Sequence, residues 1–302
     1  MYHFTICFKN KTLILQKKST MPQITRHKVT KIPELGLQLR RINDTETDSD
    51  YITYTHQDDY YIFGLVENGT VTVVVDFEEQ QFFPNDIFII QPGQIHRLSG
   101  TEKAVGWIFF VDNSLVNDTE KYILDSFSLV ASSLRTEEQQ KIELIQIASM
   151  FASRMDYANS GLTKMILRKL AETFIAIVTE MAQGINLQNV SCKQRYVEIV
   201  ILLRRLLTEH LATNHQPSFY ASMLNISSGY LNEVVKEITG KSTTLYIKQE
   251  LVLQAKRLLL HTNLAVKEIS DRLGIDDYAY FSRLFAREAG MSPTEFRQKN
   301  LE

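Results

Sequence analysis

The sequence predicts an α+β multidomain chain: an N-terminal β-barrel followed by helices, then a C-terminal all-α domain in which a long helix joins two helix-turn-helix units. Three observations support this fold class. Short β-rich runs separated by turn residues fill residues 24–112. Apolar residues then recur at helical spacing over residues 113–188. From residue 195 onward the helices are short, and one pattern occurs twice. The 302 residues are enough for two domains, each with its own core.

The N-terminal extension, residues 1–23, mixes apolar and basic side chains without a clear period. Two interpretations remain open: Met21 is the true start, or Met1 is the start and the extension adds a short strand to the following domain. The apolar run from Phe4 to Phe8 is too short for a signal sequence or a membrane span. We therefore expect a cytoplasmic protein without a membrane partner. The two cysteines have no metal-ligand spacing, and we expect reduced thiols.

Several β-rich runs are recognisable between residues 24 and 112. They are Tyr51 to Thr55, Tyr61 to Val66, Thr70 to Phe77, Asp86 to Ile90 and Ala104 to Val111. Turn residues separate them at 67–69, 84–86 and 91–93. Short strands at such intervals predict a barrel or a jelly roll. Within this region His56, Gly69, Asp86 and the stretch from Pro92 to His96 resemble a cupin-type sensory domain.

The mouth of such a barrel is a common place for a small organic ligand. The candidate pocket residues are His56, Tyr61, His96 and Trp107. Tyr60, Phe63 and Phe109 are further candidates, but strand alternation would place only about half of these aromatic residues inside. The others would belong to the core.

A metal-binding cupin needs a His-x-His-x3-Glu set and a later His, whose ligands converge inside the barrel. Here the set is His56-x-Asp58-x3-Ile62, and His96 alone remains of the second motif. Two His and one Asp could form a facial triad. We favour the alternative that His56 and His96 are hydrogen-bonded structural or pocket-rim residues. The prediction is therefore no metal, no cofactor and no catalytic residue.

Helical periodicity dominates residues 113–188. It predicts one or two helices over Leu115 to Leu134, then helices over Glu137 to Met155 and Leu162 to Met181. The last has an apolar stripe broad enough to bury against another helix, which fits packing on the barrel or a dimer interface. The polar stretch from Gly184 to Gln194, with a domain boundary at 189–194, predicts a linker.

The first helix-turn-helix is predicted at residues 217–239. Ser218 can cap its first helix, Asn225 can adopt the left-handed turn, and Ser227 can cap its second helix. Gly240 ends that helix, and a linker helix follows over residues 243–260. The second unit, residues 265–288, repeats this pattern. The matched pairs are Ala221 with Ser270, Asn225 with Gly274 and Leu231 with Tyr280.

In the second unit Gly274 allows the sharp turn, and Asp276 or Asp277 can cap the next helix. A helix with polar residues on its outer face fits the DNA major groove. The alternative is an ordinary surface helical hairpin with solvated charges. The overall charge of −2 does not favour a nucleic-acid partner, so any DNA affinity must come from local cations.

The residues of the second unit follow a long pattern: Ile269, Leu273, Gly274, Asp277, Tyr280, Phe281, Ser282, Arg283, Phe285, Gly290, Ser292, Pro293, Phe296 and Arg297. This pattern resembles the second helix-turn-helix of the AraC/XylS family of bacterial transcription regulators. Four residues depart from that family's pattern: Ile275 replaces an aromatic residue, Ser270 an alanine, Gly229 a longer side chain and Glu250 an arginine.

The resemblance implies double-stranded DNA as partner. The candidate base contacts are Gly229, Asn232, Glu233, Tyr278, Ala279, Ser282 and Arg283, and the candidate phosphate contacts are Lys236, Lys241 and Arg287. Asn pairs bidentately with adenine, Glu accepts from cytosine and Arg pairs with guanine, whereas lysines position the protein on phosphates without specifying sequence.

We therefore expect a sequence-specific transcription regulator and not an enzyme. The resemblance further implies an activator, a homodimer, a small-molecule effector at the N-terminal barrel and RNA polymerase as a further partner. The competing class is a metal-dependent cupin enzyme with a helical appendage. A third interpretation keeps the DNA function and makes the barrel an interaction module only.

Overall fold

The computed structural model describes residues 26–27, 35–43, 55–129, 131–155, 157–158, 160–189 and 194–301. The N-terminal extension with Met21 lies outside these residues, as does the strand predicted at Tyr51 to Thr55 except for Thr55 itself.

The N-terminal domain is built on a bent, mostly antiparallel sheet. Its described strands are β1 (Arg26–His27), β2 (Leu37–Asn43), β3 (His56–Asp58), β4 (Tyr60–Val75), β5 (Glu78–Phe82), β6 (Asp86–Ile90), β7 (Ile95–Asp112) and β8 (Ser133–Arg135). The strand order is β1-β3-β7-β4-β6-β8, with β2 also on β7 and β5 on β4. Only the β1–β3 pairing is parallel among the described strands.

Two predictions of secondary structure need correction. The runs Tyr61 to Val66 and Thr70 to Val75 are parts of one strand, β4, because the predicted turn at 67–69 is a bulge that stays paired with β7. Asp76 and Phe77, predicted in the second run, lie in the turn after β4. Gly69 has φ +71°, and a Cβ there would lie 2.2 Å from the Lys103 carbonyl oxygen, so no larger residue fits. Leu134 lies in β8 on the sheet edge and not in a helix. Strands β1, β2, β3 and β5 and the first half of β7 were not predicted from the sequence.

The two faces of the sheet bury different clusters. Side chains alternate between these faces along β4. The face toward the helices carries Tyr61, Phe63 and Leu65. The face toward the inside of the bent sheet carries Tyr60 and Ile62. Three helices cover the outer face: α1 (Asp118–Phe127), α2 (Glu138–Met155) and α3 (Gly161–Asn189). The predicted linker is wrong in its first part, because α3 continues past Gly184 to Asn189.

The C-terminal domain contains α4 (Gln194–His210), α5 (Pro217–Met223), α6 (Ser228–Thr239), α7 (Thr243–His261), α8 (Val266–Arg272), α9 (Tyr278–Ala289) and α10 (Pro293–Leu301). The long helix α7 lies in the centre of one core that also includes Leu203 of α4, Leu231 of α6 and Phe281 of α9. No helix among the described residues is long and apolar enough to cross a membrane.

The two domains touch where the turn after β4 reaches the C-terminal domain. The Phe77 ring packs edge-on against Phe296 of α10, with ring centroids 5.2 Å apart. The Lys256 ammonium of α7 lies 5.2 Å from the centroid of the Phe77 ring. Away from this turn, Arg204 of α4 donates to the Ser128 hydroxyl over 3.0 Å.

Candidate nucleic-acid interface

The first helix-turn-helix consists of α5 and α6. Asn225 has φ +54° and takes the left-handed turn as predicted. The Ser227 hydroxyl accepts a hydrogen bond from the Tyr230 N–H over 3.1 Å and caps α6. The cap predicted at Ser218 is wrong, because α5 begins one residue earlier at Pro217, whose fixed φ suits a first helical position.

The second unit consists of α8 and α9. Gly274 has φ +70°, and a Cβ there would lie 2.2 Å from the Ala212 carbonyl oxygen. Asp277, one of the two predicted capping residues, accepts from the Tyr280 N–H over 2.9 Å. Ser270 is fully buried and donates its hydroxyl hydrogen to the Ile275 carbonyl over 2.6 Å. The serine at this helix crossing therefore ties the turn to α8 without leaving a buried hydroxyl unsatisfied.

The turns of the two units begin with the same backbone hydrogen bond. The Ile226 N–H donates to the Ala221 carbonyl, and the Ile275 N–H donates to the Ser270 carbonyl, both over 3.0 Å. Ala221 therefore corresponds to Ser270 as predicted. The pairing of Leu231 with Tyr280 is wrong. The second turn is one residue longer, so the fully buried Leu231 corresponds to the fully buried Phe281.

Helix α6 buries Leu231, Val234 and Val235 and directs the opposite face outward. Gly229, Asn232, Glu233 and Lys236 are exposed on that face or beside it. Two of these side chains already have partners within the protein. The Asn232 Oδ1 accepts from the Thr243 N–H over 3.0 Å at the start of α7. The Tyr196 hydroxyl of α4 donates to Glu233 over 2.6 Å.

Helix α9 buries Phe281, Leu284 and Phe285, and exposes Tyr278, Ala279 and Arg283. The exposed position predicted for Ser282 needs correction. Ser282 borders the buried stripe, directly after Phe281, and its Oγ is buried without a hydrogen-bond partner among the described residues.

Tyr280 of α9, which was not among the predicted base contacts, lies on the exposed side of the helix beside Ala279. Its side chain is 42% exposed. The sequence contains a signal for this exposure, because Tyr280 precedes the apolar Phe281, and successive residues of an α-helix point about 100° apart around its axis.

The candidate phosphate contacts Lys236, Lys241 and Arg287 are all exposed. The exposed Arg287 pairs with the largely buried Glu288 over 3.0 Å. Arg297, by contrast, is structural. Its guanidinium donates to the backbone carbonyl oxygens of Leu259 and Leu264 over 2.9 and 2.7 Å. It thereby supplies a hydrogen-bond donor to one carbonyl in the last turn of α7 and to one in the loop after it.

The candidate pocket residues of the N-terminal domain fall into two groups. His56 and His96 are cross-strand partners and meet at Asp58 inside the bent sheet. Burial raises the pKa of the Asp58 carboxyl, but the neighbouring His56 and His96 lower it more, so the net pKa is well below its usual range. The structure does not bring Tyr61 and Trp107 to this place. Both pack on the opposite face of the sheet with the helices.

Two family models match the chain. One describes an AraC-like ligand binding domain and covers residues 37–111, from β2 into β7. The other describes a helix-turn-helix domain and covers residues 220–299, which include both helix-turn-helix turns. Together they match just over half of the chain. The chain belongs to the AraC/XylS family. The family resemblance stated from the sequence is thereby confirmed for both parts of this AraC-family chain.

Several relatives are regulators. The transcriptional activator RhaR of Cronobacter sakazakii is 32% identical over 102 residues, which are 34% of this chain and 36% of that protein. The RhaR of Escherichia coli (strain K12) is also 32% identical over 102 residues. The match thus spans about a third of the length of these relatives.

Solved structures are also similar. The C-terminal domain of the response regulator yesN from Fusobacterium nucleatum is 31% identical, with a TM-score of 0.30, and covers 32% of this chain and 94% of that chain. ToxT from Vibrio cholerae is 13% identical, with a TM-score of 0.43, and covers 86% of this chain and 97% of that chain.

Proposed function

We propose that this AraC-family chain is a transcription regulator that binds double-stranded DNA in a sequence-specific way. The observation that carries this proposal is the pair of helix-turn-helix units whose turns begin with the same backbone hydrogen bond, each unit presenting the outer face of its second helix, α6 or α9, to solvent. Such a helix face enters the major groove. The relatives named above are regulators, which favours this function over an enzyme.

The helix between the two units supports a reader of two successive grooves. Helix α7 has 19 residues and is therefore roughly 28 Å long. Both units pack on it through one core. A rigid connection of this length suits recognition helices placed near the ~34 Å repeat of the major groove on one side of DNA.

Within this proposal the second unit provides the better base contacts. Arg283 is exposed in the outer face of α9, where a guanidinium can pair bidentately with guanine. In the first unit, Glu233 and the Nδ2 of Asn232 remain candidates. A bidentate contact of Asn232 with adenine also needs its Oδ1, which would first have to break its hydrogen bond with the Thr243 N–H. We therefore propose that α9 discriminates sequence more strongly than α6.

Selection from random double-stranded DNA with the full-length protein tests the proposal. We expect one enriched motif made of two half-elements about 10 base pairs apart. A motif with a single element would contradict the two-groove arrangement, and the absence of any enrichment would contradict DNA recognition itself.

We propose in addition that the chain forms a homodimer through α2 and α3. Exposed apolar residues lie on these helices: Ile142 and Met150 on α2, and Leu162 and Met165 on α3. Pairing these residues with those of a second copy of the chain would remove their apolar surface from water. Sedimentation of wild type and Met165→Glu tests the proposal, since the variant should shift the equilibrium to monomer. An unchanged dimer, or a monomeric wild type, would contradict it.

The names of the RhaR relatives favour activation as the outcome. We propose RNA polymerase as a further partner and the cytoplasm as the place of action. The N-terminal domain would then couple a small molecule to DNA binding. A reporter gene placed behind the selected motif tests the direction of regulation, because an activator raises its expression and a repressor lowers it.

A further inference from the structure

Three ionisable side chains converge inside the N-terminal domain. His56 and Asp58 are two residues apart on β3 and therefore face the same side of the sheet. His96 on β7 is the cross-strand partner of His56. All three residues are buried, with 5%, 2% and 5% of their surface exposed, respectively. The fold thus places two imidazoles and one carboxylate together away from water.

The distances fit ligands of one ion. Asp58 Oδ2 lies 3.4 Å from His56 Nε2 and 3.2 Å from His96 Nε2. One ligand atom from each residue lies within 4.8 Å of the other two. Two donor atoms bound to one ion at about 2.1 Å, at a tetrahedral angle, are roughly 3.4 Å apart. Small movements of the side chains would therefore complete a coordination sphere.

The hydrogen bonding of His96 leaves room for either a proton or a metal ion between this ring and Asp58. His96 Nδ1 lies 3.2 Å from the Gln94 carbonyl oxygen. A carbonyl only accepts, so Nδ1 carries a hydrogen. Nε2 either carries a second proton and pairs with Asp58 as a cation, or presents a lone pair to that carboxylate. In the second case two acceptors face each other in a buried place, and a metal ion would bind both. Among the described residues, neither Asp58 oxygen nor His96 Nε2 has a hydrogen-bond partner of acceptable geometry.

This arrangement is the one found around bound metals. A ligating histidine commonly donates its second ring N–H to a backbone carbonyl, which fixes the orientation of the ring. The loop that leads to His96 is itself held in place. Gln57 donates to the Gly93 carbonyl over 2.6 Å, and the Gly93 N–H donates to the Asp58 carbonyl over 2.8 Å.

A cavity lies beside the buried His96. His96 lines a cavity of about 340 Å³ between the domains. Thr55 and Arg97 of the N-terminal domain and Lys256 and Phe296 of the C-terminal domain line it as well. Three protein ligands would leave coordination positions free for water or for an oxygen-donor molecule from this cavity.

We propose that His56, Asp58 and His96 bind one divalent transition-metal ion in the N-terminal domain. Two imidazole nitrogens and one carboxylate oxygen suit Zn²⁺, Fe²⁺ or Co²⁺ better than Mg²⁺ or Ca²⁺, which take oxygen ligands. This proposal departs from the structural role that the sequence favoured for the two histidines. The new observation is the close approach of their Nε2 atoms to the buried Asp58.

Titration of the tag-free, full-length protein with Co²⁺ tests the proposal. Uptake is followed by calorimetry and by the visible absorption of the bound ion, and Zn²⁺ is then added as competitor. We expect one Co²⁺ per chain, displaced by Zn²⁺. Asp58→Asn and His96→Gln keep the side-chain size or polarity, and each should weaken binding at least about 100-fold. The control His210→Gln removes a histidine of the C-terminal domain and should bind as wild type does.

Either of two results would overturn the proposal. One is the absence of stoichiometric uptake by the wild type, which would leave a protonated His96 as the partner of Asp58. The other is equal uptake by wild type and by folded Asp58→Asn protein. Circular dichroism shows whether the variants are folded. If both variants misfold, the test is the proton NMR spectrum of Co²⁺-loaded wild type, in which paramagnetically shifted ring N–H signals must show two histidine ligands. No DNA is present, so the result is independent of DNA binding.

Discussion

Asp76 and Arg257 connect the two domains through a charged hydrogen bond. The Arg257 Nη2 of α7 donates to Asp76 Oδ1 over 2.9 Å, and both side chains are largely buried. The same carboxylate accepts from the Ile95 N–H over 3.2 Å and, through its other oxygen, from the Gln94 amide over 3.1 Å. Asp76 thus joins the linker helix α7 of the C-terminal domain to the loop that leads to His96.

The first prediction concerns the energy of this contact. In a double-mutant cycle of Asp76→Asn and Arg257→Gln, we expect a coupling free energy of about 1 kcal/mol, because the pair is shielded from solvent and hydrogen-bonded. Urea unfolding of the four proteins measures it. Each single variant should also make the Phe77 turn more sensitive to proteolysis. Additive effects of the two substitutions would show that the domains are held together by other contacts.

Much of the C-terminal domain could be predicted because its signals are local. Gly274 and Asn225 have the positive φ that the turns need, and Ser227 and Asp277 cap the helices that follow. Each of these features depends on residues a few positions apart. The wrong match of Leu231 with Tyr280 has a local cause too, since one extra residue in a turn shifts the repeat without changing the hydrophobic pattern.

The remaining features depend on tertiary contacts that a single sequence does not display. Gly69 looked like the centre of a turn, but its neighbours stay paired with β7 as a bulge. Asn232 looked like a free side chain, but its oxygen binds the backbone of α7. Asp76 and Arg257 are 181 residues apart. The site at Asp58 was visible only as a spacing, because the sequence did not fix how β3 pairs with β7.

The second prediction concerns sequence recognition by α9. Arg283→Ala should cost about 1–3 kcal/mol on the preferred DNA site and relax the preference at one base pair, because a bidentate contact to guanine is lost. Lys236→Ala should weaken binding to all sequences alike and reduce the salt dependence, as expected for a phosphate contact. Binding titrations on the selected site and on its single-base variants, at several salt concentrations, separate the two roles. An unchanged base preference in Arg283→Ala would contradict the groove assignment.

The third prediction concerns the turn of the second unit. Gly274 and Gly290 have similar positive φ values, +70° and +75°, but only at Gly274 would a Cβ collide with a backbone carbonyl. Gly290→Ala should therefore cost about 1–2 kcal/mol for the left-handed conformation alone. Gly274→Ala should cost clearly more, because the backbone at Ala212 must move as well. Urea unfolding of the two variants gives the difference. Equal losses would mean that the turn tolerates the added methyl group.

The fourth prediction concerns the pH dependence of stability through Glu250 of α7. Burial raises the pKa of Glu250, and Asp76 raises it further, while Arg204, Arg257 and Lys241 lower it in part. A carboxyl whose pKa is raised in the folded state binds its proton more tightly there than in the unfolded chain. Its contribution therefore favours folding at low pH and is lost as the pH rises from the usual value of 4.5 through the folded pKa.

Glu250→Gln should consequently be more stable than wild type at neutral pH, and the difference should disappear as the pH falls below about 4.5. Glu295→Gln is the control of opposite sign. Hydrogen bonds from Ser292 lower the pKa of Glu295, so its charged form favours folding, and the variant should be less stable than wild type at neutral pH. Thermal unfolding across this pH range measures both. A neutral-pH loss of stability in Glu250→Gln would show that the attraction of the three cations outweighs the burial of the carboxylate.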